Sequence, residues 1–196
     1  MKSLLVLLCA SALCFGADTI EAFGFRWSVP IGADWKVEEG VLKLLVKRPQ
    51  EQPRRPKQFA LAETGDYTNV TVECDVRRLA SSLIIVYAYK DDAHFNYAHL
   101  SSDTAVKQPV HNGIFHVYGG DRVRISSTAG PASLPTGDWT HVKLTYDGRT
   151  GAVDVLVNRQ PNISLKAVDM SLGAGRIGLG SFFETAEFRN VKITGR

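Results

Sequence analysis

Short runs in which apolar and polar residues alternate fill most of this chain. Val70, Val72, Cys74 and Val76 share one parity, with Thr71, Glu73, Asp75 and Arg77 on the other. That period of two marks a strand with one face in a core. The same alternation groups Val142, Leu144 and Tyr146 and turns His141, Lys143 and Thr145 away. Residues 83–89 are apolar on both parities, which predicts a central strand covered on both faces. Residues 35–44 read as two strands joined by a Glu-Glu-Gly turn, and further strands are predicted over 95–100, 114–118 and 123–126. Gly, Pro, Asn and Asp separate these runs, with no internal repeat and no amphipathic helix between them. The pattern predicts an all-β fold: a two-sheet antiparallel sandwich of about a dozen strands in jelly-roll order.

The N-terminus departs from this pattern. Lys2 precedes an uninterrupted run of apolar and small residues from Leu4 to Phe15. The run is too short to span a bilayer comfortably and suits a secretory signal. Cleavage after Ala12 would leave a very short apolar region, so cleavage after Gly16 is preferred. Residues 1–16 are therefore read as a signal peptide and 17–196 as a single domain, secreted or periplasmic and without a membrane anchor. Cys9 and Cys14 each follow a bulky Leu, which argues against lipoprotein processing. The mature domain keeps Cys74 alone, on the buried parity of its strand, where it is expected to act as a small hydrophobe.

Charge adds little. The formal net charge of +3 falls by one with Lys2. Cations cluster only in residues 47–57, which hold three prolines and five Lys or Arg. This composition predicts a solvated loop between strands, with attachment to an anionic polymer as its functional alternative. No nucleic-acid motif accompanies it, so nucleic acid is not expected as a partner.

The phrase Gly137-Asp138-Trp139-Thr140-His141-Val142-Lys143-Leu144 is followed by Gly175-Arg176-Ile177-Gly178-Leu179 and Ala186-Glu187-Phe188-Arg189-Asn190-Val191. Together these resemble the closing segment of concanavalin A-like jelly-roll domains. The wording is most similar to the 3-keto-disaccharide hydrolase domain and more loosely similar to laminin G-like modules. The resemblance implies a jelly roll with a concave sheet across which carbohydrate lies. It leaves open a glycan-binding module, a glycoside or 3-keto-glycoside hydrolase, and a protein-binding sandwich, because one architecture hosts all three.

Outward positions on the concave strands nominate the site. Strand 95–100 groups Phe95, Tyr97 and His99, and strand 83–89 groups Tyr87 with Tyr89. Aromatic faces stack on the apolar surfaces of sugar rings, and His or Asn binds hydroxyls. Tyr87, Tyr89, Tyr97 and His99 form the first candidate cluster, joined by His111 and Asn112 from the loop before residue 114. The alternation leaves open that these aromatics fill the core instead, with His99 hydrogen-bonded inside it.

Metal and acid chemistry find less support. His94 and His99, like His111 and His116, are five apart and so lie on opposite parities, unlike strand-borne metal ligands. Glu73 and Asp75 share a face and are the weak catalytic candidates, since glycoside hydrolysis usually needs two carboxyls. Glu73-Cys74-Asp75-Val76-Arg77 partly resembles the Glu-x-Asp-x-Glu signature of jelly-roll glucanases, but Arg77 replaces the third acid. A solvated, ion-paired face is the competing reading. The resemblance also implies a structural calcium liganded from the last strand, where this chain carries Arg189. No metal or other cofactor is therefore expected.

Overall fold

The computed structural model describes residues 18–80, 82–100, 111–126, 134–158 and 160–196. The signal-peptide reading of residues 1–16 lies outside them. Two antiparallel sheets face each other in a jelly-roll sandwich. The eight-stranded sheet runs β1 (Asp18–Ala22), β2 (Phe25–Val29), β5 (Gln58–Ala62), β14 (Arg176–Ser181), β7 (Ile84–Asp91), β8 (His94–His99), β9 (Gly113–Tyr118) and β10 (Val123–Arg124). The seven-stranded sheet runs β13 (Gln160–Val168), β12 (Ala152–Val157), β11 (Trp139–Asp147), β6 (Asn69–Arg78), β15 (Ala186–Gly195), β4 (Val41–Leu44) and β3 (Trp35–Glu38). Among the described residues this makes fifteen strands rather than a dozen. The Glu-Glu-Gly turn joins β3 to β4, with Glu39 and Gly40 both at positive φ. No helix among the described residues is long and apolar enough to cross a membrane.

Alternation places the main core as the sequence predicts. Val70, Val72, Cys74 and Val76 of β6 and Val142, Leu144 and Tyr146 of β11 all point between the sheets. They meet Trp27, Ile85, Ala98, Ile114 and Leu179 from the other sheet. The Trp27 indole N–H donates to the Ala22 carbonyl at 3.0 Å, so its polar atom enters the core satisfied. Cys74 is fully enclosed, and burial pushes its thiol up to about 12. It therefore behaves as a packed apolar group.

The eight-stranded sheet is apolar on its outer face as well. Ile84, Val86, Tyr89, Phe95, Tyr97, Phe115, Phe59 and Phe182 form a second cluster there. Such a surface needs a cover, and the segment from 45 to 57 supplies part of it. Arg48 clamps Asp34 with two hydrogen bonds of 2.8 and 2.6 Å, and its backbone N–H donates to Phe183. Backbone Arg54 bonds Asp121, and Arg122 bonds the Arg54 carbonyl. The cationic proline-rich stretch is the exposed loop between strands that its sequence predicts, and these contacts fasten it beside the outer face of the sheet.

A bulge decides which tyrosines face outward. In β7, Ala88 has φ 51°, and the register with β14 shifts between Arg176 and Gly178. Ala88 joins the main core beside Tyr87, while Val86 and Tyr89 join the outer cluster. Gly175 makes room, since a Cβ there would come within 2.4 Å of the Ala88 carbonyl carbon.

Candidate functional site

The outer face of the eight-stranded sheet divides into a sealed part and an open part. Tyr97 and His99 lie side by side on β8, as their shared parity predicts, but both are sealed. The Arg122 guanidinium lies over Phe115 at 4.3 Å and Phe182 at 4.6 Å. It donates to the Tyr97 hydroxyl at 3.2 Å and sits 3.3 Å from His99 Nδ1. His99 Nε2 lies 2.9 Å from Ser82 Oγ. Burial, then the Arg122 charge, lower His99 to about 3, so the imidazole stays neutral at ordinary pH.

Toward β5 and β14 the face opens into a cleft of about 570 Å³. Phe59, Leu61 and Tyr89 make its floor, with Phe59 and Tyr89 edge to face at 5.8 Å. Arg176 lies over the Tyr89 ring at 5.1 Å, and the Tyr89 hydroxyl donates to Asp92 at 2.7 Å. Burial, reinforced by that hydrogen bond, raises the Tyr89 phenol. Arg55 and Lys57 form the opposite wall. They also border a second cavity of about 330 Å³, closed by Trp35, Gln50 and Phe182. A narrow aromatic floor beside charged hydrogen-bonding groups suits a small polar ligand with an apolar face.

The candidate residues are therefore scattered. Tyr89 lines the cleft. Tyr97 and His99 lie on the same sheet face beneath Arg122. Tyr87 does not share a face with Tyr89: the Ala88 bulge turns it into the core, where its ring meets Tyr146 at 4.9 Å. Asn112 is buried and His111 half-buried just before β9, and His111 contributes to the field at His99. Neither His111 nor Asn112 lines the cleft. Nothing in the sequence groups Arg55, Lys57, Asp92 and Arg176, which come from three separate segments. The signals present were the proline-bracketed cations and the Gly-Arg-Ile-Gly phrase of β14.

Glu73 and Asp75 lie on the opposite side of the molecule, on the outer face of the seven-stranded sheet. Cross-strand charge pairs run over this face. Glu73 meets Lys143 at 2.9 Å, and that hydrogen bond holds its carboxyl below the usual value. Burial pushes Asp75 up, but hydrogen bonds from Asn190 at 2.8 Å and His141 at 3.1 Å, with the Arg189 charge, prevail and hold it low. Both carboxylates line a hollow of about 470 Å³ with His141 and Lys192. The indole of Trp139 is flanked by the guanidiniums of Arg77 at 4.7 Å and Arg189 at 4.1 Å. Where the resemblance implies a calcium ligand there stands this Arg189, and neighbouring Glu187 is engaged by Arg77. That donor set does not suit the ion.

Residues 17–194 match the 3-keto-alpha-glucoside-1,2-lyase-like domain. No curated protein matches the chain in sequence. Among solved structures, the fold is similar to carbohydrate binding module CBM66 from Bacillus subtilis, at 13% identity and TM-score 0.59 with 92% of each chain covered. It is similar to a protein assigned as a glycosyl hydrolase from Parabacteroides distasonis, at 14% identity and TM-score 0.60, covering 84% of this chain and 91% of that one. A Bacillus subtilis protein of unknown function with a galectin-like fold aligns at 16% identity and TM-score 0.55, over 83% and 86% of the two chains. At such identities the likeness is one of fold.

Proposed function

Since this chain belongs to the 3-keto-alpha-glucoside-1,2-lyase-like domain family, we propose that it is an exported carbohydrate-binding domain that takes sugar into the cleft over β5, β7 and β14. The observation that carries this reading is the composition of that cleft. It combines the aromatic floor of Phe59 and Tyr89 with the polar groups Arg55, Lys57, Asp92 and Arg176. Ring C–H groups would rest on the floor, and hydroxyls would find donors and an acceptor at the walls. Export rests on the signal-like segment 1–16. A glycan array probed with residues 17–196, followed by titration calorimetry on the hits, tests the reading. Binding lost in Tyr89→Ala supports it, and an array without hits overturns it.

A second reading, cleavage of a 3-keto-glycoside in the same cleft, is favoured by the Tyr89–Asp92 hydrogen bond. Asp92 is the one carboxylate lining the cleft among the described residues, so a two-carboxylate hydrolysis is not provided there. Elimination would take the proton from the carbon between the keto group and the anomeric carbon while the glycosidic C–O bond breaks. Asp92 would serve as the base and pass that proton to the departing oxygen, which leaves as an alcohol. Turnover of a 3-keto-glucoside that is lost in Asp92→Asn, with binding kept, would promote this reading.

A further inference from the structure

Resting on the cleft proposed above as the sugar site, a narrower conclusion comes from its charges. Among the described residues the lining holds three cations, Arg55, Lys57 and Arg176, against the single carboxylate of Asp92. Asp92 already accepts from the Tyr89 hydroxyl. Lys57 is paired with Glu51, which borders only the neighbouring cavity. Arg55 and Arg176 make no ion pair among the described residues. Among the described residues, the Arg176 guanidinium meets the face of Tyr89. The Nη1 of Arg55 is shielded from bulk water and has no hydrogen-bond acceptor among the described residues.

Several other cations are paired with carboxylates. On the seven-stranded sheet the cations Lys143, Lys166 and Arg77 each face a carboxylate, and Arg48 is clamped by Asp34. A guanidinium N–H withdrawn from water without an acceptor costs free energy that an incoming acceptor returns. Planar guanidinium matches a carboxylate with two parallel hydrogen bonds, a geometry a neutral hydroxyl cannot reproduce.

We propose that the cleft selects acidic glycans, taking a sugar whose ring carries a carboxylate and setting that carboxylate against Arg55 and Arg176. A uronate suits the shape, because its carboxylate projects from the rim of the ring. With the ring face on Phe59 and Tyr89, the acid points at the walls. The proline-rich cationic segment then serves as the anion-recognising wall of the site, which gives its charge a use that a solvated loop lacks.

The test uses calorimetry on residues 17–196 with oligouronides of gluco, galacto and manno configuration, their methyl esters, and a sulfated neutral oligosaccharide. Binding of at least one oligouronide is expected, weakened roughly ten- to a hundredfold by methyl esterification and by Arg55→Ala or Arg176→Ala. Rising salt should weaken it further. Methyl esters that bind as tightly as the free acids would overturn the acidic preference while leaving the sugar cleft standing. Preference for the sulfated sugar over every uronide would also overturn the carboxylate assignment. Oligouronide binding untouched by Tyr89→Ala, Arg55→Ala and Arg176→Ala would remove the cleft itself from the account. Arg55→Lys separates charge from geometry: it keeps the cation but should recover only part of the affinity.

Discussion

The backbone of Ala88 lies so close to Gly175 that a Cβ on the glycine would sit 2.4 Å from the Ala88 carbonyl carbon. This contact lets β7 bulge beside β14, and the bulge sends Tyr87 inward and Tyr89 outward. Gly175→Ala is therefore expected to destabilise the domain by about 1–3 kcal/mol through overpacking against backbone that cannot yield. It should also weaken sugar binding, because Tyr89 and Arg176 flank the same bulge. Denaturant melts and calorimetry check both effects, and an unchanged midpoint would contradict the packing argument.

The main core gives a simpler expectation. Leu144 is fully buried between the sheets, so Leu144→Ala should cost about 2–5 kcal/mol. A loss of only a few tenths in urea melts would mean that the strand's inward and outward faces are reversed.

Acid sensitivity follows from His99. Burial and the Arg122 charge lower its folded value to about 3, against about 6.5 in an unfolded chain. Between these values the unfolded chain holds a proton that the folded domain does not. Stability is thus complete above about pH 6.5 and falls as the pH drops toward 3, by on the order of a few kcal/mol. The comparison is read between about pH 6.5 and 4.5 in two domains that differ only at residue 99, so that whatever the remaining histidines and carboxylates contribute is common to both. The slope of stability against pH there should flatten in His99→Gln, and equal slopes would contradict the assignment.

The face carrying Glu73 and Asp75 should prove indifferent to ligand. Glu73→Gln and Asp75→Asn are expected to change stability by less than about 1 kcal/mol, as partly exposed ion pairs do. Neither should alter glycan affinity. Loss of turnover in either variant would relocate catalysis to the seven-stranded sheet.

Local alternation made the sandwich legible. Parity alone assigned Cys74, Val142, Leu144 and Tyr146 to the interior, because β6 and β11 pair without interruption from Trp139–Arg77 to Asp147–Asn69. It failed at Tyr87 and Tyr89, where one residue at positive φ resets the count, and nothing in Val86-Tyr87-Ala88-Tyr89 marks that bulge. Parity did group Tyr97 with His99. What covers them, Arg122 and the 45–57 segment, depends on contacts between residues far apart in sequence. Those long-range contacts also assemble the cleft. Because Tyr97 is enclosed, Tyr97→Ala is expected to destabilise the fold, where a groove position would have tolerated it.

The central claim is that sugar rests on the cleft floor beside Tyr89, and calorimetry of Tyr89→Ala against the tightest glycan found by array tests it most directly. The account predicts a variant that is destabilised, since most of the Tyr89 ring is buried, but still folded, shown by a cooperative melt, and whose affinity falls roughly tenfold or more. Unchanged affinity in a folded Tyr89→Ala would contradict it.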